Sequence, residues 1–233
     1  MITDMRQYQA LQETNSGYWF EQDTGIAHGP NVVWSPIPEN DTQLFINPRS
    51  AILHSNAGTK PSTWQNMKTW ITTPGNGDEP HFDVDNTGQA GQFMSVLRRA
   101  DCNTDANYWV YEGKPYGAIS FETGDLGAAT LETTPWNLAQ LDTMIGLLTA
   151  LAAQYDIGCN EVLSWNGKGI DYHTKFPYVD GIVKAWTKYK GKTCPGKQRK
   201  LQTPFIRQAV ANRVAAYINR CAELGVPHGI AGL

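Results

Sequence analysis

The longest nearly apolar run in the chain is Met144 to Ala153, interrupted by Gly146 and Thr149. A bilayer span takes about 20 apolar residues, so a run this short belongs inside a folded core. Its setting predicts a helix: Leu138, Leu141, Ile145, Leu148, Ala152 and Tyr155 fall on one stripe. Thr134 as N-cap and Pro135 at the first helical position mark the expected start. Such a helix needs a sheet or other helices to cover it.

Strand signals supply the sheet. Ala51 to His54 is a short apolar run closed by Asn56 and Gly58. Pro61, Trp64, Met67, Lys68 and Ile71 then follow helical spacing, ended by Pro74 and Gly75. His81 to Asp85 alternates, residues 86–88 turn the chain and residues 92–97 resume, which predicts a hairpin. Tyr116 to Glu122 places Ile119 and Phe121 on one face and Ser120 and Glu122 on the other. Thr203, Pro204, Ile206, Val210, Val214 and Ile218 predict a final helix. The interleaving predicts an α/β fold, a central mixed sheet flanked by helices in one domain over residues 48–233. Residues 1–47, rich in Gly, Pro, Asn and Asp, read as an irregular lead-in packed on it. Residues 158–202 read as mostly irregular, too long a stretch for a passive connector.

The net charge of −3 hides an asymmetry. Residues 1–180 hold 9 Lys/Arg against 21 Asp/Glu, whereas residues 181–233 hold 10 Lys/Arg against Glu223 alone. The basic block either meets an anionic partner or neutralises the acidic body, and both readings stay open. It carries no nucleic-acid-binding motif, so no nucleic acid partner is expected, and no membrane insertion either. The first 25 residues include Asp4, Glu13, Glu21 and Asp23 and no long apolar stretch, so no secretory signal is expected. Cys102, Cys159, Cys194 and Cys221 form no CxxC motif, which favours free thiols or a metal ligand over a disulfide framework.

Of five histidines, His54 ends a predicted strand and His173 shares the long later segment with Cys194. All three could meet at one end of the sheet. A lone buried histidine is more often a hydrogen-bonded structural residue, so the local sequence matters. His173 lies in Tyr172-His173-Thr174-Lys175-Phe176-Pro177, and Cys194 in Lys192-Thr193-Cys194-Pro195-Gly196. In these segments the chain resembles the type 2 N-acetylmuramoyl-L-alanine amidases, which share a fold with peptidoglycan recognition proteins. It is most similar to the amidase domains of endolysins from actinobacteriophages. The likeness covers about residues 48–220 and leaves residues 1–47 unaccounted for.

The resemblance implies one Zn²⁺ ion held by His54, His173 and Cys194. Two imidazoles and a thiolate leave a fourth position open, the pattern of a catalytic zinc. It further implies hydrolysis of the amide bond between N-acetylmuramic acid and L-alanine, with Glu122 as general base and Lys192 stabilising the developing oxyanion. Several relatives carry tyrosine just before the histidine corresponding to His81; here that residue is Pro80, which places more of the proton transfer on Glu122. His81 is then a supporting or structural histidine, and His28 and His228 lie at the surface. Asn56, Asn107, Trp109, Tyr172 and Lys175 would line a groove for peptide and sugar. As a phage endolysin, a monomer made in the host cytoplasm, the protein would reach the peptidoglycan through a holin pore. Two alternatives compete: a recognition module that binds peptidoglycan without cutting it, against which Cys194 argues, and a peptidase with Cys194 as nucleophile and His173 as base. Such nucleophiles usually begin a helix, and Pro195-Gly196 is an unpromising start for one.

Overall fold

A computed structural model of the protein describes residues 2, 4–56, 63–124, 133–163, 167–175 and 194–230. In chain order these hold α1 (Met5–Thr14), β1 (Trp19–Glu21), β2 (Ile26–His28), β3 (Val32–Trp34) and β4 (Asn47–Leu53). Next come α2 (Trp64–Ile71), β5 (Phe82–Val84), β6 (Ala90–Gln92), β7 (Trp109–Tyr111) and β8 (Lys114–Thr123). The last three are α3 (Leu138–Tyr155), β9 (Gly169–Tyr172) and α4 (Lys197–Glu223).

Strands β1 and β2 form a separate hairpin, and the other seven make one mixed sheet in the order β3-β6-β5-β8-β4-β9, with β7 also on β8. β5, β8, β4 and β9 run parallel, β6 is antiparallel to β5, and β3 follows β6. The carboxyl ends of four neighbouring strands therefore leave the sheet along one edge, where α/β folds place ligands. Helices α1, α3 and α4 cover one face over the main core, which includes Leu53, Val84, Phe121, Leu148, Ile170 and Val210. Helix α2 lies on the other face, with the Trp64 ring over Gly91 where a Cβ would come within 2.7 Å of it. The predicted mixed sheet flanked by helices is the architecture observed.

Several local expectations change. Helix α3 starts at Leu138, not at Pro135, because Asn137 and Gln140 form a reciprocal capping box. Its burial is not the expected stripe either: Leu138 is exposed, while Met144, Leu147, Leu148 and Leu151 are fully buried between the sheet, α4 and β1. The interruption at Gly146 has a purpose, since a Cβ there would lie 2.2 Å from the ring of buried Tyr18. Asn15 Nδ2 donates to the Gly146 carbonyl at 2.8 Å, and the Tyr18 hydroxyl reaches Thr143 Oγ1 at 3.3 Å. Residues 1–47 are thus not an irregular lead-in: they contribute α1, the β1–β2 hairpin seated on α3, and β3 at the sheet edge. The 158–202 stretch contains β9 and the first turns of α4, which begins at Lys197 after Gly196 and carries Pro204 within it. Thr203 is therefore no N-cap; its hydroxyl bonds back to the Arg199 carbonyl at 3.2 Å.

Candidate metal centre

The strand registers build the site. Leu53 pairs with Phe121 of β8 and with Tyr172 of β9, so the next residues, His54, Glu122 and His173, line up across the strand ends. Leu53 and Phe121 point into the main core, and alternation turns His54 and Glu122 to the opposite face. Cys194 arrives from elsewhere, two residues before the N-cap of α4. That helix is tied down by buried Arg199, whose guanidinium donates to Thr123 Oγ1 at 3.1 Å and to the Gly124 carbonyl at 3.3 Å. Thr123 in turn donates to the His54 carbonyl at 2.7 Å, so one short chain of bonds joins the helix behind Cys194 to the strand end bearing His54.

Ligand atoms of His54, His173 and Cys194 all lie within 4.8 Å of one another. Cys194 Sγ is 3.8 Å from His54 Nδ1, and the His54 and His173 rings are 4.4 Å apart at 59°. Ideal tetrahedral zinc bonds to nitrogen and sulfur set the two ligand atoms about 3.6 Å apart. Two imidazoles and a thiol of this spacing suit Zn²⁺, and the three residues could hold a metal ion. Glu122 Oε1 lies 3.7 Å from His54 Nδ1, beside the same point.

The other ring nitrogen of His54 meets a residue the sequence did not single out. Nε2 is 2.7 Å from Asn103 Oδ1, and Asn103 is fully buried. Asn103 Nδ2 donates to the Ala118 carbonyl at 3.0 Å, which turns its oxygen toward His54. Next to it, burial raises the Cys102 thiol well above its ordinary range, so it stays protonated and donates to the same oxygen. No local pattern marks Asn103: it precedes a short 3-10 turn, 49 positions from His54.

The remaining predicted residues are spread out. Asn56 Nδ2 donates to Asp83 Oδ1 at 2.9 Å beside the row of strand ends. Tyr172 is half-buried, with Lys200 Nζ 5.6 Å from its ring centre, and Lys175 ends the short turn that begins at His173. Asn107 is buried and accepts from the Asn103 backbone N–H at 2.7 Å, and Trp109 sits in a small core with Ile52, Ala118 and Val162. Lys192 lies outside the described residues. His81 is buried between Ser120 and the Arg98 carbonyl, and burial pushes its pKa down to about 4. Against expectation, a helix does follow Pro195-Gly196 directly.

No protein-family model and no curated protein matches the chain. Solved structures do match in fold. The catalytic domain of XlyA aligns with a TM-score of 0.52 at 16% identity, over 77% of this chain and 99% of that one. A mutant endolysin from Bacillus subtilis aligns at 0.51 and 15%, over 77% and 98%. A derivative of AmpD aligns at 0.50 and 15%, over 85% and 98%. The mixed α/β fold is therefore one that endolysins use.

Proposed function

We propose that this protein is a zinc-dependent N-acetylmuramoyl-L-alanine amidase, a peptidoglycan hydrolase acting as a phage endolysin. One observation carries the reading: His54, His173 and Cys194 converge beside Glu122 at the carboxyl ends of parallel strands. The fold shared with endolysins and the sequence resemblance support it.

His54, His173 and Cys194 would hold the ion, which when bound supplies Lewis acidity, polarising an amide carbonyl and acidifying water toward neutrality. Glu122 takes the proton of the attacking water and returns it to the departing amine. Its position in the row of strand ends keeps it near the reacting atoms while backbone pairing fixes it. Lys192 stabilises the oxyanion that develops, and Asn56, Tyr172 and Lys175 contact the stem peptide and sugar. Asn107 and Trp109, expected to line the groove, are buried instead, Asn107 holding the Asn103 backbone and Trp109 packing beside Ile52. Residues 48–233 form the catalytic domain, buttressed by residues 1–47, and access to the wall runs through a holin pore.

A start of α4 close behind Cys194 would also suit a thiolate nucleophile. A nucleophile and base need one imidazole, however, and here two converge with the thiol. Metal analysis of purified protein and mass spectrometry of fragments released from cell walls decide. Stoichiometric zinc, loss of lysis with chelator, and free stem peptides starting at L-alanine are expected. Activity that survives complete metal removal overturns the reading, and inactivation of metal-loaded protein by iodoacetamide alone favours the nucleophile.

A further inference from the structure

Resting on the metal-site reading above, we propose that Asn103 is a positioning residue that fixes His54 as its Nε2–H tautomer and so aims Nδ1 at the metal. A neutral imidazole carries one proton, and the nitrogen that lacks it is the only one able to ligate. Around His54 the two nitrogens differ in how closely an acceptor approaches. Nε2 faces Asn103 Oδ1 at 2.7 Å, an atom that can only accept. Nδ1 faces Cys194 Sγ at 3.8 Å and Glu122 Oε1 at 3.7 Å.

The acceptor is itself held. Asn103 Nδ2 is committed to the Ala118 carbonyl at 3.0 Å, and the Cys102 thiol donates to Oδ1 at 3.8 Å. Rotating the amide would break the first bond and set the Asn103 oxygen against the Ala118 carbonyl oxygen. The Asn103 backbone N–H is anchored on Asn107 Oδ1 at 2.7 Å, so the loop cannot easily withdraw the group. His54 is 2% exposed and Asn103 0%, leaving little room for water to take the role. Without an acceptor at Nε2, the proton can shift to Nδ1, where it blocks ligation. A bond partner of this kind usually changes metal affinity by about 10- to 100-fold when lost.

The test begins with zinc-free wild-type protein and long-range ¹H–¹⁵N correlation of the imidazole nitrogens. His54 is expected as Nε2–H; finding Nδ1–H overturns the proposal. Asn103→Leu should populate Nδ1–H and weaken zinc binding, measured against a chromophoric chelator, by about 10- to 100-fold. Asn103→Asp keeps an acceptor and should restore the Nε2–H tautomer and most of the affinity, which a merely structural role would not do. Asn103→Leu that keeps tautomer and affinity, or Asn103→Asp that loses both, refutes it. Should Asn103→Leu fail to fold, the wild-type tautomer and Asn103→Asp decide alone. Failure of the parent reading looks different: wild-type protein would not bind zinc, while the tautomer would still report on Asn103.

Discussion

Strand β4 carries two chemistries on one backbone. Ala51 and Leu53 enter the main core under α3, whereas Ile52 and His54 face the other way. On the α3 face the fully buried groups are mostly apolar, and large side chains such as Phe82, Phe121 and Leu148 fill it. On the opposite face lie buried His54, His81, Asp83, Asn103 and Ser120. The first face is closed by packing, the second by two smaller apolar clusters around Ile52 and Phe93 together with the hydrogen bonds of these polar groups. A period of two thus separates what holds the sheet together from what gives it chemistry.

The largest expected effect is on the polar face. Cys194→Ser should abolish zinc retention and hydrolysis while wall binding persists. Glu122→Gln should retain zinc and lower kcat by about 10²- to 10⁴-fold. Metal content and turnover measured on both variants check this; a Glu122→Gln enzyme with wild-type turnover would remove Glu122 from the chemistry. The other face should respond in the reverse sense. Leu148→Ala removes a fully buried side chain and should cost about 2–5 kcal/mol in denaturant unfolding. Its turnover well below the unfolding transition should match wild type, and a turnover collapse without unfolding would dissolve the division between faces.

A smaller effect comes from His81 on the polar face. Burial holds it neutral, with its pKa lowered from 6.5 to about 4. The unfolded chain therefore takes up the proton first. Stability from this group is complete above about pH 6.5 and is lost as the pH falls through 4, about 3 kcal/mol in all. Urea titrations of wild type and His81→Gln across that window check it: the variant should start less stable at pH 7 and lose less on acidification.

The apolar run of β4, the alternation of β8, the first arm and turn of the β5–β6 hairpin and the apolar weight of α3 were legible in the sequence because each is set by neighbours a few positions away, whereas the second arm came earlier than the expected residues 92–97. Helix starts were less so. Thr134-Pro135 and Thr203-Pro204 both look like beginnings, yet the Asn137–Gln140 box outcompetes the first. At the second, docking of Arg199 on Thr123 and Gly124 extends α4 toward its start. In the site, His54, His173, Cys194 and Glu122 were legible through motif and strand position. Asn103 was not, since its role follows from a tertiary contact that leaves no periodicity. The regular structure of residues 1–47 was masked by turn-forming composition, although Gly146 in an apolar helix could have signalled that something lies against it.

The smallest effect concerns the charge asymmetry, where the two ends of the chain meet. The described arginines of α4 are largely answered from within. Arg207 lies 3.7 Å from buried Asp171 and 3.8 Å from Glu161. Arg213 lies 2.9 Å from Asp142, and Arg220 bridges Glu13 at 2.7 Å and Glu223 at 2.8 Å. That geometry favours neutralisation of the acidic body over capture of an anionic wall for this part of the block. Surface pairs of this kind add little to stability because water and salt screen them. Arg213→Gln combined with Arg220→Gln should therefore leave the unfolding midpoint nearly unchanged in physiological salt. Wall binding by the double variant should keep the wild-type salt dependence, since these charges already have partners. A weakened, less salt-sensitive attachment in a sedimentation assay would instead assign α4 to the wall and return the acidic body to solvent.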